Sequence, residues 1–275
     1  MDAVPAGPGP VGAMRWIQYD VPANHRPPVA ATLRLGELAH AAAMAQYGRL
    51  MAGASSPALS GRDGDGRPAR WNDHAHWLPV DEDGDARIER IYLWVPRGLG
   101  PKETAACLLI DGLWEGGPTA NGWGLEVPLR ATDWGGPGRP VLPPGLVGPS
   151  RTWQSATPFV PPRHTRLAGT GAERRRVETA PEQLRREFDL RGIPAQVARL
   201  DPLDPAEVGR ANLWRGASLV RASERHRLPA WATWWAVTFD RPVQGPLLFG
   251  HAAHFGLGRM APAPSCPQAP DGDGV

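Results

Sequence analysis

Three short stretches carry side chains that could do chemistry. The first is Asn72-Asp73-His74-Ala75-His76. Two imidazoles two residues apart share a face of an extended chain. Histidine titrates near neutral pH, so the pair could act as general base and general acid. It could also ligate a metal, but zinc would want a third and a fourth ligand and no cysteine cluster supplies them. Two polar loop residues are the plain alternative. The second stretch is Gly250-His251-Ala252-Ala253-His254-Phe255-Gly256-Leu257-Gly258. Glycines so spaced let backbone N–H groups approach a ligand, and consecutive N–H groups can form a nest for phosphate oxygens. A tight turn whose glycines only relieve strain fits the same spacing. The third runs from Trp153 to Arg166 and ends in Arg163-His164-Thr165-Arg166. Aromatics, hydroxyls and a basic cluster at a strand end suit single-stranded RNA. Ser155 in that stretch lacks the context of an activated nucleophile and reads as structural.

A further acidic run, Asp81-Glu82-Asp83-Gly84-Asp85, opens like a calcium-binding loop. The sixth position is Ala86 rather than glycine and the twelfth is Tyr92 rather than glutamate, so a solvated turn fits better. Arg174, Arg175 and Arg176 read as a solvated charge run.

The elements that must position these residues follow from periodicity. Met14 to Val21 reads as a strand and Ala30 to Leu50 as a helix with Leu33, Leu35, Leu38, Ala42 and Met44 on its apolar face. Asp73 to Pro79 and the alternating Arg87 to Pro96 read as strands, Thr104 to Trp114 as a short helix, and Gly122 to Ala131 as an edge strand holding Pro128. Strand, helix, strand, strand, helix, strand is the ferredoxin-like, or RRM-like, plan. The second half repeats it loosely: strands at Arg151–Val160, Gln196–Leu200, Leu213–Ala222 and Trp231–Phe239, and a helix at Pro181–Arg191. The fold class is therefore α+β, two tandem ferredoxin-like domains with a C-terminal glycine-rich loop. The expected layout is a disordered start at 1–13, a first domain at 14–134, a Gly/Pro linker at 135–150, a second domain at 151–262 and a loose tail at 263–275.

The totals narrow the function classes. Among 275 residues, 41% hydrophobic, there is no apolar run of about 18 residues and no signal-peptide pattern at the start. Cys107 and Cys266 make no disulfide framework, so a cytoplasmic location is expected. The net charge of +2 is uneven: residues 1–150 hold 13 Lys/Arg against 16 Asp/Glu, and residues 151–262 hold 17 against 10. A basic half that carries the glycine loop suits a polyanion.

Taken together, WQSATPFVPPRHTR, EQLRREFDLRGIP and PVQGPLLFGHAAHFGLGRM, with SGRDGDGRPARWNDHAHWLPVDEDGDARIERIYLW upstream, resemble a family of CRISPR-associated RAMP proteins. It is the type I-U (I-G) fusion of a backbone-capping subunit with a repeat-RNA endoribonuclease. The resemblance spans about residues 14–262 and matches the C-terminal endoribonuclease part, since such fusions have a longer N-terminal region. Where the family's acidic turn continues with Gly and an Asp-His pair, this chain has Ala86, Glu89 and Arg90. The resemblance implies cleavage of precursor CRISPR RNA by attack of its own 2′-hydroxyl, without metal or cofactor. With the pair spacing, it points to His74 and His76 for acid–base work. Arg163, His164, Arg166, Gly250, His254, Gly256 and Gly258 would contact RNA. Repeat or guide RNA and other CRISPR effector subunits are the implied partners, with no membrane. Two rivals stand beside it: a guide-RNA-binding subunit without activity, and a metal-dependent hydrolase using His74, His76 and the Asp81–Asp85 turn.

Overall fold

A computed structural model describes residues 14–68, 72–115, 126–136, 142–168, 175–204, 206, 213–214, 217–219, 221 and 231–263. In chain order the elements are β1 (Met14–Asp20), α1 (Thr32–Leu50), α2 (Pro57–Ser60), β2 (His76–Val80), β3 (Arg90–Leu99), α3 (Pro101–Leu108), β4 (Gly112–Trp114), β5 (Glu126–Pro128), β6 (Arg130–Gly135) and α4 (Pro144–Val147). Then come β7 (Ser150–Ser155), β8 (Arg166–Ala168), β9 (Arg175–Val177), α5 (Ala180–Leu190), β10 (Val197–Pro202), β11 (Trp235–Val243) and β12 (Met260–Pro262).

Two four-stranded antiparallel sheets organise the chain. The first has the order β2-β3-β1-β6 and the second β10-β11-β7-β12. Numbered within each half, both orders are 2-3-1-4, the ferredoxin-like arrangement expected from the sequence. In the first half α1 and α3 make the two crossovers. In the second, α5 makes the first crossover, and the glycine loop with its 3₁₀ turn Ala253–Phe255 stands where a second helix would run.

Several elements differ from the sequence reading. The fourth strand of the first sheet is Arg130–Gly135, while Glu126–Pro128 pairs with Gly112–Trp114 in a separate ribbon. Pro128 cannot donate into a ladder, so it suits a two-stranded ribbon better than the main sheet. Residues 122–125 lie outside the described residues. The reading of Leu213–Ala222 as a strand also gives way: Leu213 and Trp214 form a turn, 217–219 carry no strand, and 215–216, 220 and 222 are outside the description. The fourth strand of the second sheet is instead Met260–Pro262. Within the expected linker, Pro144–Val147 is a helical turn whose Leu146 and Val147 are buried; 137–141 are outside the description, as are 1–13, 264–275 and Arg174 of the charge run.

The two halves share core. One buried cluster joins Trp16, Leu78, Val80 and Tyr92 of the first sheet to Leu146, Leu248 and Ala253; another joins Leu33 of α1 to Val160, Phe255 and Leu257. The glycine loop is the dock. The α1 face presents Gly36, where an added Cβ would lie 2.6 Å from the Phe255 carbonyl oxygen. Gly256 (φ +91) sits against Thr32 and Pro79, with 2.9 and 2.8 Å available to a Cβ. Gly258 (φ +62) would place a Cβ 1.8 Å from the Phe249 carbonyl oxygen. Both have left-handed backbones and no room, so only glycine fits.

Gly258→Ala is therefore expected to cost about 2 kcal/mol or more of stability, from strain and overpacking together. Urea denaturation reads this as a lowered midpoint, and an unchanged midpoint would contradict the packing described.

Candidate active site

The first sheet and the glycine loop bring three imidazoles into contact. His74 precedes β2 and His76 opens it; His254 lies on the 3₁₀ turn of the loop. The ring centroids of His74 and His254 are 3.9 Å apart at an interplanar angle of 30°. Those of His76 and His254 are 4.2 Å apart at 48°, and those of His74 and His76 5.8 Å apart at 27°. The sequence pairs His74 with His76; the structure sets His254 between them.

The three rings are not equivalent. His76 is 2% exposed and packs against Trp94 at 5.0 Å, while His74 and His254 are half-buried. His76 Nδ1 lies 2.8 Å from the His74 carbonyl oxygen. A carbonyl only accepts, so in the neutral ring Nδ1 carries the proton and Nε2 the lone pair. Gly61 abuts His74: a Cβ there would lie 2.5 Å from His74 Nε2. His254 Nδ1 is buried and makes no hydrogen bond among the described residues.

Two arginines and a fourth histidine surround the cluster. Arg191, just past the end of α5, is held by Glu187 at 2.6 Å and lies over the Phe249 ring at 5.4 Å. Glu187 also accepts the Gly250 amide at 3.0 Å, so the glycine loop fixes the carboxylate that fixes Arg191. His40 on α1 meets the Phe255 ring edge-on at 5.7 Å, and Arg221 lies over that ring at 4.7 Å while bonding Glu37 at 2.8 Å.

These surroundings favour neutral imidazole. Burial, followed by the nearby His74 and Arg191, holds His76 well below its usual value despite the opposing bond to the His74 backbone. Burial, then His76, His74, Arg191 and His40, does the same to His254. Burial with Arg221 and His74 brings His40 down to about 4.

Stacked rings this close do not suit one metal ion. With Zn–N bonds near 2 Å, tetrahedral geometry spaces ligand ring centroids by roughly 5 Å, because the lone pairs lie in the ring planes. The acidic turn does not complete such a site. His76 and Asp81 sit at opposite ends of β2, about 16 Å of extended chain apart. In that turn the carboxylates of Asp81, Asp83, Asp85 and Glu89 lie within 4.8 Å of one another. They are engaged by the turn itself: Asp81 accepts the Gly84 and Ala86 amides, Glu89 accepts that of Glu82, and Arg26 pairs with Asp83 and Glu89.

Other expected site residues have different surroundings. The amides of Gly256 and Gly258 donate to the Ala253 and Pro158 carbonyls, and both glycines are buried, so neither presents a nest to solvent. Trp153 and Phe159 are core residues at 0% and 1% exposure and offer no stacking surface. Ser155 is a structural acceptor for the Trp235 amide. Arg163, His164 and Arg166 are exposed. Arg163 and Arg166 pair with Glu178 just before α5, so the length of that helix, roughly 16 Å, separates them from Arg191. The sequence assigns no role to Gly61, His40, Arg191 or Arg221: Gly61 and Arg191 lie in stretches that carry the resemblance but have no spacing of their own that marks a site, and His40 and Arg221 lie in none.

No protein-family model matches the sequence, and no curated protein matches it either. A solved structure described as "CRISPR associated protein Cas6" aligns over 92% of this chain and 100% of its own, with 12% identity and a TM-score of 0.40. Another, described as "An RAMP protein binding different RNA substrates", aligns over 90% of this chain and 98% of its own, with 10% identity and a TM-score of 0.37. At these scores the likeness carries no function across.

The depressed histidines couple the site to folding. The unfolded chain takes up their protons near the ordinary value of 6.5, and the folded chain only far below it. Their contribution to stability is therefore full above that value, and it is lost progressively as pH falls toward the folded values. The urea midpoint is expected to drop between about pH 7.5 and about pH 5.5, and to drop less in His40→Gln. A midpoint that is the same at both pH values would contradict this environment.

Proposed function

We propose that the chain is a metal-independent endoribonuclease. The carrying observation is the contact of His74, His76 and His254 beside Arg191, with the buried Nδ1 of His254 making no hydrogen bond among the described residues. RNA supplies its own nucleophile, so the protein needs a base, an acid and a cation. The 2′-hydroxyl attacks the adjacent phosphorus and gives its proton to a neutral imidazole. The 5′-oxygen leaves with a proton from a protonated one. The products are a 2′,3′-cyclic phosphate and a 5′-hydroxyl, and atoms balance with no added water.

Partial exposure makes His74 and His254, rather than the buried His76, the pair that would meet RNA. His76, buried behind them, is a positioning residue: its Nδ1–H bond to the His74 carbonyl holds the backbone that carries the His74 ring. Arg191, fixed by Glu187, supplies charge to the developing phosphorane, a role worth several kcal/mol where solvent is excluded. The substrate class is the one the sequence resemblance implies, CRISPR repeat RNA, which would place the chain with other effector subunits.

His74→Ala and His254→Ala are expected to lower single-turnover cleavage of repeat RNA by about 100-fold or more while affinity changes by less than about threefold. Gly61→Ala should lower cleavage by crowding the His74 ring. EDTA should change nothing. Binding without discrete products in the unaltered protein would favour a guide-RNA-binding subunit, and cleavage lost with EDTA would favour the metal-dependent reading.

The pH profile gives a second check. Burial, then the neighbouring histidines and Arg191, keeps His254 neutral, so with His254 as the acid the protonated partner is scarce in the free protein at neutral pH. kcat/KM is therefore expected to rise as pH falls from about 8 to about 6, since this parameter follows the free enzyme. A rate that climbs with pH across that range would contradict the assignment.

A further inference from the structure

A second charged centre lies at the start of α5. Three guanidinium groups converge on one carboxylate: Arg166 at 2.9 Å, Arg163 at 3.2 Å and Arg186 at 3.7 Å from the oxygens of Glu178. The arginines are 51–70% exposed at their side chains, while that of Glu178 is 13% exposed beneath them. One carboxylate with two oxygens cannot satisfy three guanidinium forks, and even counting Glu182, which lines the same cleft and accepts the Thr179 amide, three arginines against two glutamates leave an excess of one positive charge.

The backbone under this centre is unusual. Glu178 has φ +55, in the left-handed region where a residue with a side chain is disfavoured and glycine would be the cheaper choice. It is held there. Buried Gln183 donates to the Glu178 carbonyl at 2.6 Å and to the Arg163 carbonyl at 2.9 Å, and accepts the Arg163 amide at 2.9 Å. Thr179, next in the chain, forms a capping box with Glu182 that starts α5. A strained glutamate, pinned on both sides so that its carboxylate sits under three arginines, calls for a use of that carboxylate.

We propose that Arg163, Arg166 and Arg186 form a phosphate-binding site, and that Glu178 fills it until a phosphodiester displaces the carboxylate. Arginine forks match phosphate oxygens as they match carboxylate oxygens, and a phosphate offers more acceptors. The occupant named here, a phosphodiester of the RNA whose scissile bond lies at the histidines, rests on the reading above. The geometry suits it: α5 leads from Glu178 at one end to Arg191 at the other, so one strand lying along the helix would meet both centres. The internal carboxylate weakens loose attachment of arbitrary anions and lowers the salt sensitivity of entry, because it cancels one of the charges that would meet the phosphate.

The test uses Glu178→Gln, which keeps shape and removes the competing charge. Asp201→Asn is the control: it removes one charge from an exposed Arg199 pair elsewhere. Affinity for repeat RNA is measured across salt for the unaltered protein, E178Q, D201N, R186A and E178Q/R186A. E178Q is expected to tighten binding by about threefold or more over D201N and to steepen the salt dependence by about one ion, the weight of one phosphate contact. R186A should weaken binding and shrink the gain from E178Q. Equal effects of E178Q and D201N would overturn the site, as would a gain that survives unchanged in E178Q/R186A. Inorganic phosphate at matched ionic strength is the second arm, read by the arginine Nε–H resonances. A phosphate response without any change in RNA affinity would overturn RNA as the occupant. If the unaltered protein binds no RNA, the endoribonuclease reading falls and this occupant with it.

Discussion

The docking of the glycine loop against the first half of the chain is the constraint on which the rest depends. Phe255 and Gly256 press on α1 and β2 at distances no side chain would tolerate, and Phe255 and Leu257 share a buried cluster with Leu33. That apolar contact fixes the 3₁₀ turn, and the turn carries His254 onto His74 and His76. The stacking of three imidazoles is thus a by-product of hydrophobic burial between two sheets. Loosening the dock by an ångström would separate rings that are now 3.9 and 4.2 Å apart.

Burial and charge pull on the histidines in one direction. Desolvation disfavours the imidazolium, and Arg191 and the neighbouring rings add to that. A neutral cluster suits the first half of the proposed reaction, where a base takes the 2′-proton. It leaves the second half to whichever ring holds a proton, and an arriving phosphate would raise that share by its negative charge. In the proposed reaction Arg191 would serve both halves, since the charge that helps keep the rings neutral would also face the phosphorane. Its anchor, Glu187, is tied to the Gly250 amide, so the same loop positions His254 and Arg191.

Much of the fold was legible because its signals are local. The alternation in β3, the alanine-rich α1 and the proline opening α5 gave the 2-3-1-4 plan of the first sheet and the helix of the second. Two of the failures were short or contained proline, while Leu213–Ala222 has an apolar pattern that reads as a strand and yet forms none among its described residues. Met260–Pro262 is three residues long and ends in proline, so periodicity cannot find it, yet it is the fourth strand of its sheet. Trp153 and Phe159 looked like stacking platforms, but aromatics fill cores more often than they bind bases, and these two are core. The candidate site was half legible. The spacing of His74 and His76 announced a pair. That His254 would lie between them depends on a contact across about 180 residues, which no local pattern encodes. The glycines drew attention for a nest of amides; their role in the structure is close approach between the two halves. Arg191 reads in sequence as an ordinary basic helix end, and only its anchor to Glu187 sets it apart.

The account is tested most directly by replacing the 2′-hydroxyl with hydrogen, one nucleotide at a time along repeat RNA, and measuring cleavage by the unaltered protein in EDTA. The account predicts that a single 2′-deoxy substitution, at the nucleotide before the cut, abolishes cleavage there while binding is retained. Continued cutting at that position in the substituted RNA would contradict it, because the imidazoles would then be activating something other than the RNA's own hydroxyl.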